Sequence, residues 1–160
     1  MGLISSQRRS RSGELPTLHP QFALMGAHGG AGVSTVARML DPHSVGTALE
    51  LMQGQPLPIG ATPVLVARST SYGLMRAGDV LSRWHGAVPR PWLVIVRDAP
   101  APLPGAVRYR SRVLSGRTLG VAFVPYLYML RSVDDASAVL TARPMLKASR
   151  ALRGRLGISD

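Results

Sequence analysis

The sequence predicts a single α/β domain, a compact, mostly parallel sheet flanked by helices. Three observations carry that expectation. Short apolar runs that read as strands recur at Phe22–Met25, Pro63–Arg68, Pro91–Val96 and Leu119–Val124, and Pro63–Arg68 is a continuous run suited to a parallel sheet covered on both faces. Segments with apolar residues at helical spacing lie between them. The first run also feeds directly into a glycine-rich turn and then a helical segment. A chain of 160 residues, 46% of them apolar, is one domain's worth and buries about 70% of its unfolded surface. There is no internal repeat and no sign of a second domain, so the division expected is a basic arm over residues 1–20 and the α/β domain over 21–160.

Taken in order, the arm carries Arg8, Arg9 and Arg11 among serines, then Pro16 and Pro20, and has little apolar surface to bury. Strand Phe22–Met25 follows. Gly26, Gly29, Gly30 and Gly32 make the turn, and Val33, Val36, Ala37 and Leu40 share one face of a helix that stops at Asp41, because Pro42 disfavours helical geometry before it. Val45–Met52 reads as weakly helical with Thr47 as its cap, and QGQPLPIGATP loops back to the sheet. After strand Pro63–Arg68, Ser69, Thr70 and Ser71 can cap a helix with Leu74, Ala77, Leu81 and Trp84 inward, ending near Gly86. Pro91–Val96 is the third strand, followed by a proline-rich loop.

Ala106–Ser115 fits two patterns. As a helix it stacks Arg108 and Arg112; as a strand it alternates Arg108, Arg110 and Arg112 with Val107, Tyr109 and Val113. The α/β rhythm favours the helix. Leu119–Val124 is the fourth strand, stopped by Pro125, and Pro144 opens a last helix to about Leu156. Met145, Ser149, Leu152 and Leu156 form its inner face, with Lys147, Arg150 and Arg153 outside.

Strand, glycine turn and helix are the mechanical parts of a phosphate-binding loop, because glycines let the backbone approach an anion and the helix aims free N–H groups at it. Laid over G-x-x-x-x-G-K-[ST], the stretch Ala27-His28-Gly29-Gly30-Ala31-Gly32-Val33-Ser34 has alanine at the leading glycine and valine at the lysine. Ser34, at the magnesium-ligand position, is intact, and Thr35 follows. The dinucleotide fingerprint G-x-G-x-x-G fits worse, since Thr35 stands at its third glycine and no acidic residue ends a following strand.

HGGAGVST resembles the deviant Walker A loop, xKGGxGK[ST]T, of the bacterial ParA/MinD/CpaE group of P-loop ATPases. The CpaE branch, with its degenerate loops, looks most similar. Both lysines of that loop are missing: Val33 stands at one and His28 at the other. The resemblance implies an abbreviated P-loop NTPase-like domain in which Gly29, Gly30, Gly32, Ser34 and Thr35 cradle ATP or another nucleotide, Ser34 contacting its magnesium. A loop that carries no cofactor is the alternative. It also implies a possible homodimer, and a role in plasmid or chromosome partition, conjugation or pilus positioning. The aspartate-bearing second strand of the group is not evident here. Asp98, after WLVIV, looks somewhat like the Walker B carboxylate, with a turn before Pro100 as the plainer role. Losing a lysine forfeits a charged hydrogen bond of about 1.5–3 kcal/mol. Each lost transition-state donor costs about 10²–10³ in rate. The expectation is therefore a non-hydrolysing relative that acts by binding, with a slow ATPase and a sequence-nonspecific DNA-binding scaffold as rivals. An arginine, Arg38 or Arg68, could replace the lysine only where the fold brings it to the loop.

Composition bounds the rest. The chain has no cysteine, which excludes disulfides and thiolate metal sites, and His19, His28, His43 and His85 lack ligand spacing. No apolar run is long enough to span a bilayer, the arginines of MGLISSQRRSRSGE follow rather than precede its apolar residues, and the expected compartment is the cytoplasm. Net charge is +11, and residues 67–118 hold nine arginines against Asp79 and Asp98. That imbalance points to an acidic protein partner or a nucleic acid. The nucleic-acid candidates are Arg8, Arg9, Arg11, Arg108, Arg110, Arg112, Lys147, Arg150 and Arg153.

Overall fold

A computed structural model describes residues 19–158. Residues 1–18, with Arg8, Arg9 and Arg11 of the expected basic arm, lie outside that range. Five parallel strands form one sheet in the order β2-β1-β3-β4-β5. The elements run β1 (Phe22–Gly26), α1 (Val33–Leu40), β2 (Ala48–Glu50), β3 (Thr62–Arg68), α2 (Ser71–Ser82), β4 (Trp92–Val96), α3 (Gly105–Ser115), β5 (Gly120–Val124) and α4 (Arg143–Leu156), with two short 3₁₀ turns between β5 and α4.

The continuous apolar runs are strands because both faces of the sheet are covered. Leu24, Val64, Val66, Val94 and Val96 project into one core with Val36 and Met39 of α1 and Met145 and Leu152 of α4. Leu65, Ala67, Leu93 and Ile95 project the other way, onto Leu74, Ala77 and Leu81 of α2 and Val107 of α3. The period-two alternation of the strand thus distributes one sequence between two cores. Burying each such Val, Leu or Ile contributes about 1.5–3 kcal/mol. Pro63 is tolerated in β3 because Thr62 makes the bond to Gln21 on one side, while pairing with β4 starts only at Val64.

The expected strands and the helices after β1, β3 and β4 are present, and Ala106–Ser115 is helical. Thr70 is the N-cap of α2, its side chain accepting from Gly73 N–H at 2.9 Å. Two readings are corrected. Helix α2 ends at Ser82, short of Gly86, and Trp84 instead donates its Nε1–H to Pro89 O at 3.1 Å. Val45–Met52 is not helical: Ala48–Glu50 forms β2, a sheet edge paired with Phe22–Leu24. Asp41 explains the difference. Its buried carboxylate accepts the backbone N–H groups of Val45, Gly46 and Thr47 at 2.9, 2.9 and 3.0 Å, fixing an extended approach to β2 that a helix could not make.

Helix α1 lies on one face while α2 and α3 lie on the other, so the winding reverses between β1 and β3. In open α/β sheets the crevice at the strand carboxyl ends beside such a reversal is where ligands bind. No helix among the described residues is long and apolar enough to cross a membrane.

Asp41→Ala removes the shared acceptor of three backbone donors and is expected to destabilise the fold by about 2–4 kcal/mol, read from the urea midpoint. Asp41→Asn, which keeps one carbonyl oxygen, should cost clearly less.

Candidate functional site

The chain leaves β1 still bonded to β3, with Ala27 N–H donating to Val66 O at 2.8 Å. It then turns through His28, Gly29 and Gly30. Gly30 (φ 71°) and Gly32 (φ 97°) occupy left-handed backbone that a side chain would strain. Gly29 has neither a positive φ nor crowding, since a Cβ there would meet nothing within 4 Å. Its missing side chain leaves open space in front of the loop. Gly32 is the N-cap of α1, with no side-chain capping bond and no acidic residue of its own in the first turn; the carboxylate beside that turn is Glu50 of β2, bonded to Ser34.

Val33, where the resemblance has a lysine, is half-buried and packs against the core under α1. A Cβ on Gly26 would come within 3.1 Å of its Cγ2, so the valine tucks behind the loop rather than over it. The cation at the loop is Arg68, the last residue of β3. Its Nε–H donates to Gly30 O at 3.0 Å. Its backbone N–H donates to His28 Nε2 at 3.1 Å, and His28 Nδ1 lies 2.8 Å from Gly29 O. Together these bonds assign the tautomer: Nε2 accepts, and the proton sits on Nδ1. Tyr72 packs edge-on to the imidazole, ring centroids 5.7 Å apart. His28 is therefore a strut that ties the loop to β3.

In front of Arg68 lies a cleft of about 300 Å³ at the carboxyl ends of β3, β4 and β5, lined by Thr35, Arg68, Arg97, Asp98, Tyr126 and Arg131. Arg97 is held by the carbonyl of Ala101. Arg131 donates to Asp98 O at 3.3 Å and sits over the Tyr126 ring, 5.5 Å from its centroid. The backbone at Asp98 is anchored by the Ser69 hydroxyl, which accepts its N–H at 2.9 Å. Asp98 thus lines the same cleft as Arg68.

A second cleft of about 320 Å³ opens beyond the first turn of α1, lined by Ser34, Thr35, Arg38, Glu50, Asp134 and Asp135. Ser34 Oγ donates to Glu50 Oε2 at 2.9 Å. Asp135 is held below the usual carboxylate value, first by the Ser137 backbone N–H and then by its hydroxyl, with desolvation opposing them and Arg38 adding the smallest pull. Arg38 lies 4.0 Å from Asp135 and bonds Ser44, so it is not the replacement for the lysine.

Ser34 and Thr35 line the second cleft and Thr35 also lines the first, whereas Gly29, Gly30 and Gly32 form the turn before them and line neither. The basic residues singled out from sequence do not converge: Arg108, Arg110 and Arg112 are on α3, and Lys147, Arg150 and Arg153 are on α4, across the sheet. Glu50, Arg97 and Arg131 were missed. The signal for Arg97 was present, because β3 and β4 are each followed or ended by arginine at the same edge; Glu50 was hidden by the helical reading of its segment. Comparison with protein-family models, with curated proteins and with solved structures finds no match to this chain.

His28→Ala strands the Arg68 N–H and frees Gly29, and is expected to destabilise the domain by about 1–2 kcal/mol. Hydrogen exchange read by NMR should show the Arg68 amide losing protection more than amides in the middle of β4.

Proposed function

We propose that the chain binds a phosphorylated ligand at the crevice between its glycine loop and the arginine cleft, and that it does not turn that ligand over. This is the behaviour expected of a non-hydrolysing ParA/MinD/CpaE-like P-loop protein. The observation that carries the reading is Arg68, whose Nε is 3.0 Å from Gly30 O. That bond uses one of five guanidinium N–H groups and leaves the Nη pair for the bidentate contact that arginine makes with phosphate. The uncapped start of α1 adds backbone donors and a positive dipole end on the other side. Arg97 and Arg131 add two further charges along the cleft.

Nucleotide with magnesium fits this residue set in one way. Among the described residues no three acidic or histidine side chains form a ready metal cage. Magnesium is commonly held by one or two carboxylates together with substrate phosphates, and the Ser34–Glu50 oxygen pair matches that pattern. Ser34 and Glu50 would hold the ion, which would supply charge neutralisation at the phosphates. Arg68 would orient the phosphates, and Tyr126 and Leu127 would form the apolar wall. Hydrolysis asks more. It needs charges that strengthen as the transition state forms, and the loop has lost both lysines that would supply them, at about 10²–10³ in rate for each donor.

Calorimetric titration of the full chain with ATP, ADP and pyrophosphate, each with magnesium, tests the reading. At least one is expected to bind in the micromolar range, and Arg68→Gln should weaken it by about tenfold or more. No binding of any probe up to ~1 mM would remove the reading. Turnover on the order of 1 s⁻¹, lost in Arg68→Gln, would retain the site but replace a binding protein with an enzyme.

A further inference from the structure

Asp98 is the one acidic residue lining the arginine cleft. Three guanidiniums share that lining: Arg68 from the end of β3, Arg97 after β4 and Arg131 after β5. The backbone of Asp98 is taken on both sides, its N–H by the Ser69 hydroxyl at 2.9 Å and its carbonyl by Arg131 at 3.3 Å. What the residue has left to offer is its carboxylate, at an exposed position. Among the described residues that carboxylate makes no hydrogen bond and no ion pair, although three arginines line the same cleft; the ion pairs are Arg38–Asp135 and Arg76–Asp79.

Each guanidinium uses one N–H on a backbone carbonyl, Arg68 on Gly30, Arg97 on Ala101 and Arg131 on Asp98, and keeps others for an anion. The carboxylate has the opposite character, since it accepts and cannot donate. Sulfate offers acceptors alone, and so does a phosphodiester. Either would satisfy the arginines and meet Asp98 acceptor against acceptor. A terminal phosphate that keeps one proton offers both characters. Its charged oxygens suit the guanidiniums, and its O–H suits the carboxylate in a short, charge-assisted bond. A phosphate monoester, with a second pKa of about 6, still carries that proton in part at neutral pH.

We propose that Asp98 makes the cleft selective for a terminal phosphate in its singly protonated form, the P–O–H donating to the carboxylate, against sulfate and against phosphodiesters. The inference rests on the phosphate site proposed above and names the class of phosphate that site takes. Specificity of this kind comes as much from what is repelled as from what is bound. A site built to hydrogen-bond a ligand hydroxyl rejects the analogue that lacks it, because its own polar group is then left unpaired. The same residue turns a nucleic-acid backbone, a chain of diesters, away from this cleft. The charged and titratable groups around the phosphate are Arg68 of β3, Arg97 and Asp98 after β4, and Tyr126 and Arg131 after β5. His28 of the glycine loop is bonded to the Arg68 N–H.

The test is an NMR titration of the full chain without magnesium, read at the Arg68 and Asp98 amides. Pyrophosphate establishes the site; methyl phosphate, dimethyl phosphate and sulfate probe Asp98. Singly protonated methyl phosphate and dimethyl phosphate carry the same charge and differ by O–H against O–CH₃, whereas sulfate carries more charge and no proton. Methyl phosphate is expected to bind near pH ~6 with Kd on the order of 1 mM, and the other two at least about tenfold more weakly. Its affinity should fall by about tenfold towards pH ~8 as the proton leaves. Sulfate does not titrate in that range and reports any contribution from His28. Asp98→Asn keeps both backbone anchors, so its urea midpoint should match the wild type. It should raise sulfate affinity by about tenfold and abolish the fall with pH. No shift with any probe, pyrophosphate included, would remove the phosphate site and this inference with it. Pyrophosphate binding with sulfate bound as tightly as methyl phosphate, or with wild type and Asp98→Asn discriminating alike, would overturn the inference and leave the site standing. So would a loss of pyrophosphate affinity in Asp98→Asn that appears only when magnesium is added, which would make the carboxylate a metal-side group.

Discussion

Strand β3 is buried on both faces, Val64 to Ala67 having no exposed surface, and the architecture depends on that burial. A strand whose every side chain leaves water must be covered by helices on two sides. With α1 on one side and α2 and α3 on the other, the chain has to reverse its winding next to β3, and the reversal leaves a crevice at the carboxyl ends of β1 and β3. The glycine loop and Arg68 are what the chain builds there. The position of the candidate site is therefore a consequence of where the hydrophobic cores lie.

Within that crevice, charge and scaffolding have exchanged residues. Where a phosphate loop of the resembling type has lysines, this chain has a valine tucked behind the loop and a histidine that bonds the backbone of β3. The positive charge comes from the neighbouring strand, through a side chain whose bond to Gly30 O holds it in place. On the function proposed above, such an arrangement suits binding better than catalysis. A guanidinium fixed to the backbone offers a constant field, whereas phosphoryl transfer rewards contacts that tighten only as charge moves onto the leaving oxygen.

The basic excess also divides. Arginines at the strand ends line the cleft, those of α3 lie on the opposite face of the sheet from α1, and those of α4 share the face of α1. One net charge thus conceals several surfaces with different chemistry.

Sequence alone determined the features set by local periodicity and backbone chemistry. Four apolar runs had to be strands, the segments after β1, β3 and β4 with apolar residues at helical spacing had to be helices, and Gly30 and Gly32 had to mark a turn into α1. Only the tertiary structure decided what depends on residues distant in the chain. The three-residue strand β2 has too little alternation to be read, and exists because Asp41 gathers the N–H groups that lead into it and β1 offers an edge. Ser34 and Glu50 are sixteen residues apart, His28 and Arg68 forty, and Arg131 and Asp98 thirty-three. Side-chain contacts over such separations are set by strand order and register, which no local pattern encodes, so the loop was legible and its partners were not.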